Sequence, residues 1–234
     1  MFRFALFATI LTASPLAAQQ FSMPNGCEAY LTIQSQSCSV SHYFRCTDDT
    51  NGEQRRATLD EEGMSYIGRI NAQAEWVESF HLRSGNTERL STSVDPMNVQ
   101  ELIANGVDTW DFTTDSAEIG VSRYEGMDRL TGDNVEIDGI TLLGTEYALT
   151  AYDSYGDVAW RSEGREFVNP DWNMFIGGQS SYITSDDRFD SNDTPVEFIF
   201  PDEPGFLSVN PKFGCGVEMS MLDATQLNAS PIQF

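Results

Sequence analysis

The chain has 234 residues, a formal charge of −23 from 13 basic and 36 acidic side chains, 40% hydrophobic residues and 12% aromatics. The aromatics are too many and the negative charge too evenly spread for a solvated acidic tail, so the composition describes a folded chain. Nucleic acid is excluded as a partner and an anionic membrane surface disfavoured, because Lys212 is the single lysine and the arginines are scattered.

Residues 1–18 read as a secretory signal peptide: Arg3 supplies the positive start, Phe4 to Leu16 are mostly apolar, and Ala17-Ala18 offer small residues for cleavage. That leaves 19–234 as a single β-rich exported domain, periplasmic or secreted. No later run is long and apolar enough for a transmembrane helix. Export gives meaning to Cys27, Cys38, Cys46 and Cys215, an even set expected to form two disulfides. A strand over 39–46 would hold Cys38 and Cys46 far apart. If residues 28–34 and 39–47 form a hairpin turning at Gln36-Ser37, Cys27 faces Cys46 and Cys38 is left for Cys215. That turn has no Gly or Asn to fix its register.

From there the dominant period is two. Strand-like runs are expected near 39–47, 54–60, 64–70, 74–82, 87–94, 107–114, 118–125, 129–137, 140–151, 157–168, 172–183, 195–200 and 216–222. Met64, Tyr66 and Ile70 share one face of their strand, and Ala74, Trp76, Phe80 and Leu82 share one face of the next. Asn51-Gly52 and Asp138-Gly139 are two-residue hairpin signals. The first would set Phe44 opposite Leu59, Cys46 opposite Ala57 and Asp48 opposite Arg55. The second would set Ile137 opposite Ile140 and Val135 opposite Leu142. One helix is expected near 96–105, with Asp95 as N-cap, Pro96 in the first turn, an apolar stripe of Val99, Leu102 and Ile103, and Gly106 at its end. Residues 185–195 read as a mobile loop. The fold class is therefore mainly β, an antiparallel meander forming a curved sheet, half-barrel or barrel with one short helix.

Several chemistries lack their residues. His42 and His81 are the only histidines, so a three-histidine zinc site is impossible, and HExxH, GxSxG and glycine-rich phosphate loops are missing. His42 shares the alternation of Val40, Phe44 and Cys46 and reads as an inward core residue; His81 reads as exposed. Acidic stretches at 48–53, 133–138 and 186–193 offer oxygen ligands for calcium, but none has the spacing of a calcium loop. No metal, no cofactor and no catalytic residue is assigned, and the carboxylates are too numerous to single out a hydrolytic pair.

What remains is shape. A meander carrying Tyr66, Trp76, Phe80, Trp110, Phe112 and Trp160 must curl or be covered to hide them, and curled sheets of this size often enclose a ligand cavity. Those six are the candidate ligand-binding residues. In architecture alone the chain resembles exported carriers and binding proteins built on barrels or half-barrels, including carriers with a helix lid. The expected function is binding or carriage of an apolar or amphipathic, lipid-like small molecule in the bacterial cell envelope, held between the sheet and the 96–105 helix. The alternatives are a non-catalytic envelope interaction module with an unidentified protein partner, an outer-membrane β-barrel, and a carboxylate-based secreted hydrolase.

Overall fold

A computed structural model describes residues 20–216. The expected signal peptide, nearly all of the run at 216–222 and the C-terminal residues lie outside that range. Thirteen strands follow in chain order: β1 (Cys27–Ser35), β2 (Ser39–Cys46), β3 (Gln54–Asp60), β4 (Gly63–Ile70), β5 (Trp76–His81), β6 (Asn86–Asp95), β7 (Val107–Ser116), β8 (Gly120–Ile137), β9 (Ile140–Tyr152), β10 (Val158–Asn169), β11 (Met174–Ile183), β12 (Arg188–Asn192) and β13 (Pro195–Ile199). A single helix, α1 (Val99–Asn105), stands between β6 and β7. β1 to β12 form an antiparallel meander, and β13 returns to pair with β1. The runs at 118–125 and 129–137 are one long strand, β8. The segment expected as a mobile loop instead holds β12, paired with β11 from Gln179↔Asn192 to Ile183↔Arg188.

The edges of this open sheet are β12 and β13, yet only Asp193 and Thr194 separate them. Three Cα steps span at most about 11 Å, so the edges must stand side by side. The sheet is curled on itself with a seam. Asp193 N–H donates to Gly178 O at 2.7 Å and Gln36 N–H to Thr194 O at 3.0 Å, so the link is tied to both sides. Side chains complete the seal: Leu31, Ile33 and Tyr43 from one side pack with Met174 and Ile176 from the other, together with Phe198 and Leu142. The β8–β9 hairpin reaches this seam, where Asp138 Oδ2 accepts the Phe198 N–H at 2.8 Å.

Local sequence sets the registers, with bulges absorbing the misfits. Ile137 faces Ile140 and Val135 faces Leu142 as expected; Asp138 and Gly139 both take positive φ, 48° and 76°, as a type I′ turn requires. The first hairpin turns over residues 36–38 with Cys38 left-handed at φ 54°. A bulge near Tyr30 absorbs the extra residue, so Cys27 still faces Cys46. The disulfides are Cys27–Cys46 and Cys38–Cys215. The expected Asn51-Gly52 register is overturned. Phe44 pairs with Arg55 and Val40 with Leu59, because consecutive turns closed by Asp49 N–H to Cys46 O and Glu53 N–H to Thr50 O lengthen the connection. Arg55 meets Asp49 instead of Asp48, through its Nε at 2.7 Å.

The helix also starts later than expected. Asn98, extended at φ −144°, is the N-cap and accepts from the Gln100 and Glu101 N–H groups, while Gly106 closes the C-terminus at φ 79°. Asp95 still belongs to β6 and accepts from the Thr109 hydroxyl at 2.7 Å, which leaves Pro96 outside the helix. Val99 and Leu102 are fully buried against Ala74 and Val168. Val99 N–H donates to Gln73 O at 3.1 Å, and Gln100 Nε2 to Asn173 Oδ1 at 2.5 Å. In a meander alternate connections lie at opposite ends, so α1 and the loops at 71–75 and 170–173 share one rim. Their mutual hydrogen bonds plug it.

The outer face of β1–β3 is covered as well. Ala29, Phe44 and Ala57 pack beneath Phe21, Met23, Phe206 and Leu207. Elsewhere the outer face carries rows of ion pairs, Arg89–Glu78 with Arg69–Glu53 and Arg123–Asp111 among them.

Candidate functional site

Inside the curled sheet lies a hollow in two adjoining lobes. One, of about 240 Å³, is lined by Tyr43, Arg56 and Tyr66 from β2–β4 and by Glu166, Phe175 and Gly177 from β10 and β11. The other, of about 340 Å³, runs from Met97 past Trp110, Asp128, Trp160 and Ser162 to Tyr182. Trp76, Glu166 and Phe175 line both. Strands from opposite ends of the meander face each other across this space, as a curled sheet requires. A larger concavity of about 760 Å³ opens on the sheet's outer side, where Arg129 and Arg165 both pair with Glu146. Its charges are already matched within the protein.

One wall of the hollow is a chain of aromatic rings. Trp110 and Phe112 centroids are 5.7 Å apart, Phe112 and Tyr124 5.3 Å, Tyr124 and Trp160 6.0 Å, and Trp160 and Tyr182 5.0 Å. Trp76 meets both Phe112 and Tyr124 edge-on at 5.8 and 5.9 Å. These are favourable offset and edge-to-face separations. Phe112 is fully buried, whereas Trp76 keeps 37% of its surface accessible although its strand faces inward. Glycine makes room for the largest ring: a Cβ on Gly126, opposite Trp110 on β8, would lie 2.5 Å from the indole.

The opposite wall is polar. Arg56 projects from β3 with its guanidinium carbon 4.8 Å from the Tyr66 ring centroid, a cation–π distance. Tyr66 lies over Gly68, where a Cβ would come within 2.7 Å of the ring. Protein surrounds Arg56 on all sides, but the hollow leaves its surface partly accessible. Among the described residues no carboxylate forms an ion pair with it. The Tyr43 hydroxyl is its neighbour, and Glu166 and Asp193 act on it from farther away.

Asp128 lies in the other lobe, beside the Trp110 end of the aromatic wall. Trp110 Nε1 donates to its Oδ2 at 2.8 Å, and Asp108 faces it across β7 and β8. Asp108 Oδ2 accepts the Asn98 N–H at 2.8 Å and so fixes the approach to the helix. Burial, together with the charge of Asp108, pushes the Asp128 carboxyl up to about 6. Burial and the adjacent Asp128 push Glu166 well above the ordinary carboxylate range. Both interior carboxyls are thus biased towards their protonated forms, and Glu166 forms no ion pair with Arg56.

Of the six residues expected to line a ligand site, the structure gathers Tyr66, Trp76, Trp110, Phe112 and Trp160 in and around the hollow. Phe80 is a correction. A bulge between Arg69 and Ile70 shifts the register of β5, pairing Ile70 with Trp76 but Ile67 with Phe80. Trp76 thus faces inward and Phe80 joins Ile67 on the outer side. The space between sheet and helix is also corrected: Val99 and Leu102 fill it, and the hollow lies beyond. His42 is buried as expected but on the outer face, stacked on Phe21 at 5.0 Å. His81 is exposed at the far rim, with Nε2 3.8 Å from Glu88.

Among the carboxylates considered for calcium, Glu53 meets Arg69, Asp138 the Phe198 amide, and Asp190 the Ser181 hydroxyl. Glu61 lies beside Cys38 and Cys215, but their sulfurs are bonded to each other and offer no thiolate. Arg56, Asp128 and Glu166 are missed by the sequence reading. For Arg56 the only signal was a charge on the alternation opposite to Ala57 and Leu59. No family model, curated protein or solved structure matches the chain.

Proposed function

We propose that the protein is an exported binding or carrier protein that takes a small apolar or amphipathic molecule into the hollow of its curled sheet. The observation that carries this reading is the unfilled, aromatic-walled space itself. Interiors are normally close-packed, and a pocket of a few hundred Å³ with few convergent polar groups is the usual form of a small-molecule site. One rim is plugged by α1, while Tyr182, 39% exposed, stands where the hollow approaches the other. Two disulfides fit an oxidising compartment, in keeping with export to the periplasm or beyond.

The test is titration with N-phenyl-1-naphthylamine, a neutral apolar fluorophore. The native protein is expected to enhance its emission and to lose tryptophan emission in step. Ser180→Trp, which places a large side chain in the hollow, is expected to weaken binding at least tenfold with an unchanged far-ultraviolet circular dichroism spectrum. Absence of binding to the native protein, or undiminished binding to a folded Ser180→Trp variant, would overturn the reading.

A further inference from the structure

We infer that the preferred occupant of the hollow is a small amphipathic monoanion, whose carboxylate docks on Arg56 while its apolar body lies against Trp76, Trp110 and Trp160. This rests on the hollow being a ligand site and names the chemistry it selects. A guanidinium withdrawn from bulk water is costly unless it is paired and hydrogen-bonded. Each group around Arg56 falls short of doing so. Tyr43 offers a neutral hydroxyl and Tyr66 a ring face. Glu166 shares the lobe without coming into ion-pair range, and Asp193 is engaged by the Ser191 hydroxyl at 2.6 Å.

Two neighbouring arginines that their strands direct to the outer side behave differently. Arg55 and Arg69, on the same lobe's margin, are held by Asp49 and Glu53 at 2.5 Å each. The protein supplies carboxylates to those two and withholds one from Arg56. The planar fork of a guanidinium matches a carboxylate with two parallel hydrogen bonds. A single negative charge suits the site better than two, because Asp193 stands nearby in a chain of formal charge −23. The Trp76 ring, shared by both lobes, is placed to receive whatever apolar body extends from that head.

The experiment compares 2-naphthoate with 2-naphthylmethanol, the same rings with and without the charge, by calorimetry or tryptophan quenching at 0.15 M salt. The native protein is expected to bind naphthoate at least tenfold more tightly than the alcohol. Arg56→Gln is expected to abolish that preference while leaving the alcohol's affinity within about twofold, and Arg56→Lys to keep part of it. If Arg56→Gln does not fold, Arg56→Met, which fills similar space, replaces it. Equal affinities in the native protein, or a preference that survives loss of the arginine, would overturn the inference and leave the binding reading standing. Failure of both compounds to bind would count against the hollow as a site altogether.

Discussion

Strands β1–β3 bury both faces, and the polar groups on the two sides are treated in opposite ways. On the outer face Gln34 is fully buried, but its Oε1 accepts the Lys212 N–H at 3.0 Å and its Nε2 donates to Asn210 O at 3.2 Å. Thr32 accepts the Leu207 N–H at 3.1 Å and donates toward His42 Nδ1 at 3.0 Å. Irregular segments from both ends of the described chain thus fill the outer face and satisfy nearly every polar atom there, His42 Nε2 being the exception. On the inner face, one residue away along β3, Arg56 faces empty space with no carboxylate partner. A group matched within the chain is structural; a group left unmatched beside a hollow is available to a molecule from outside.

The most forceful way to break the outer side is to release its C-terminal cover. Cys38–Cys215 closes a separation of 177 residues. In the chain-entropy account its removal costs about 5 kcal/mol. Replacing both cysteines by serine is therefore expected to lower the urea-unfolding free energy by about 4–5 kcal/mol, while the folded fraction still binds its probe, since neither cysteine lines the hollow. An unchanged midpoint would show that residues 200–216 do not seal this face.

Acid tests the same side. Burial lowers His42 to about 4 from an ordinary 6.5, so the unfolded chain takes up a proton that the native one refuses. Stability should fall as pH drops from about 6.5 towards 4, by about 3 kcal/mol at full effect. His42→Leu should flatten that limb; an identical slope would remove His42 as its cause.

The inner face answers to the opposite limb. Asp128 and Glu166 are raised, so their protonated forms stabilise the fold at low pH; the Asp128 contribution is lost as pH rises through about 6, and that of Glu166 is likewise lost on the alkaline side of the ordinary carboxylate range. Glu166→Gln is expected to lessen the loss of stability as pH rises, measured by thermal or urea unfolding. An unaltered pH profile would mean that burial does not hold the Glu166 carboxyl protonated.

Most of the sheet was legible because alternation, the Asp138-Gly139 turn and the cysteine spacing are local signals. The inside and outside of β3 were not. Alternation marks Ala57 and Leu59 as core and Arg56 as solvent-facing, which holds only when one face is covered. Here the terminal segments cover the apolar face from outside and the curl encloses the charged one, and neither event leaves a periodic trace. Phe80 was misplaced for a related reason, since a single bulge in β5 reverses every later side chain. The short strand β12 escaped because SDDRFDSN carries no alternation of apolar residues.

Whether the hollow is kept open for a ligand is tested most directly by a crystal structure of the native protein soaked with 2-naphthoate. Electron density is expected for the carboxylate on the Arg56 guanidinium and for the rings among Trp76, Trp110 and Trp160. Rings of Trp76, Trp160 and Phe175 collapsed into the space, with the compound absent or bound only on the outer surface, would contradict that expectation.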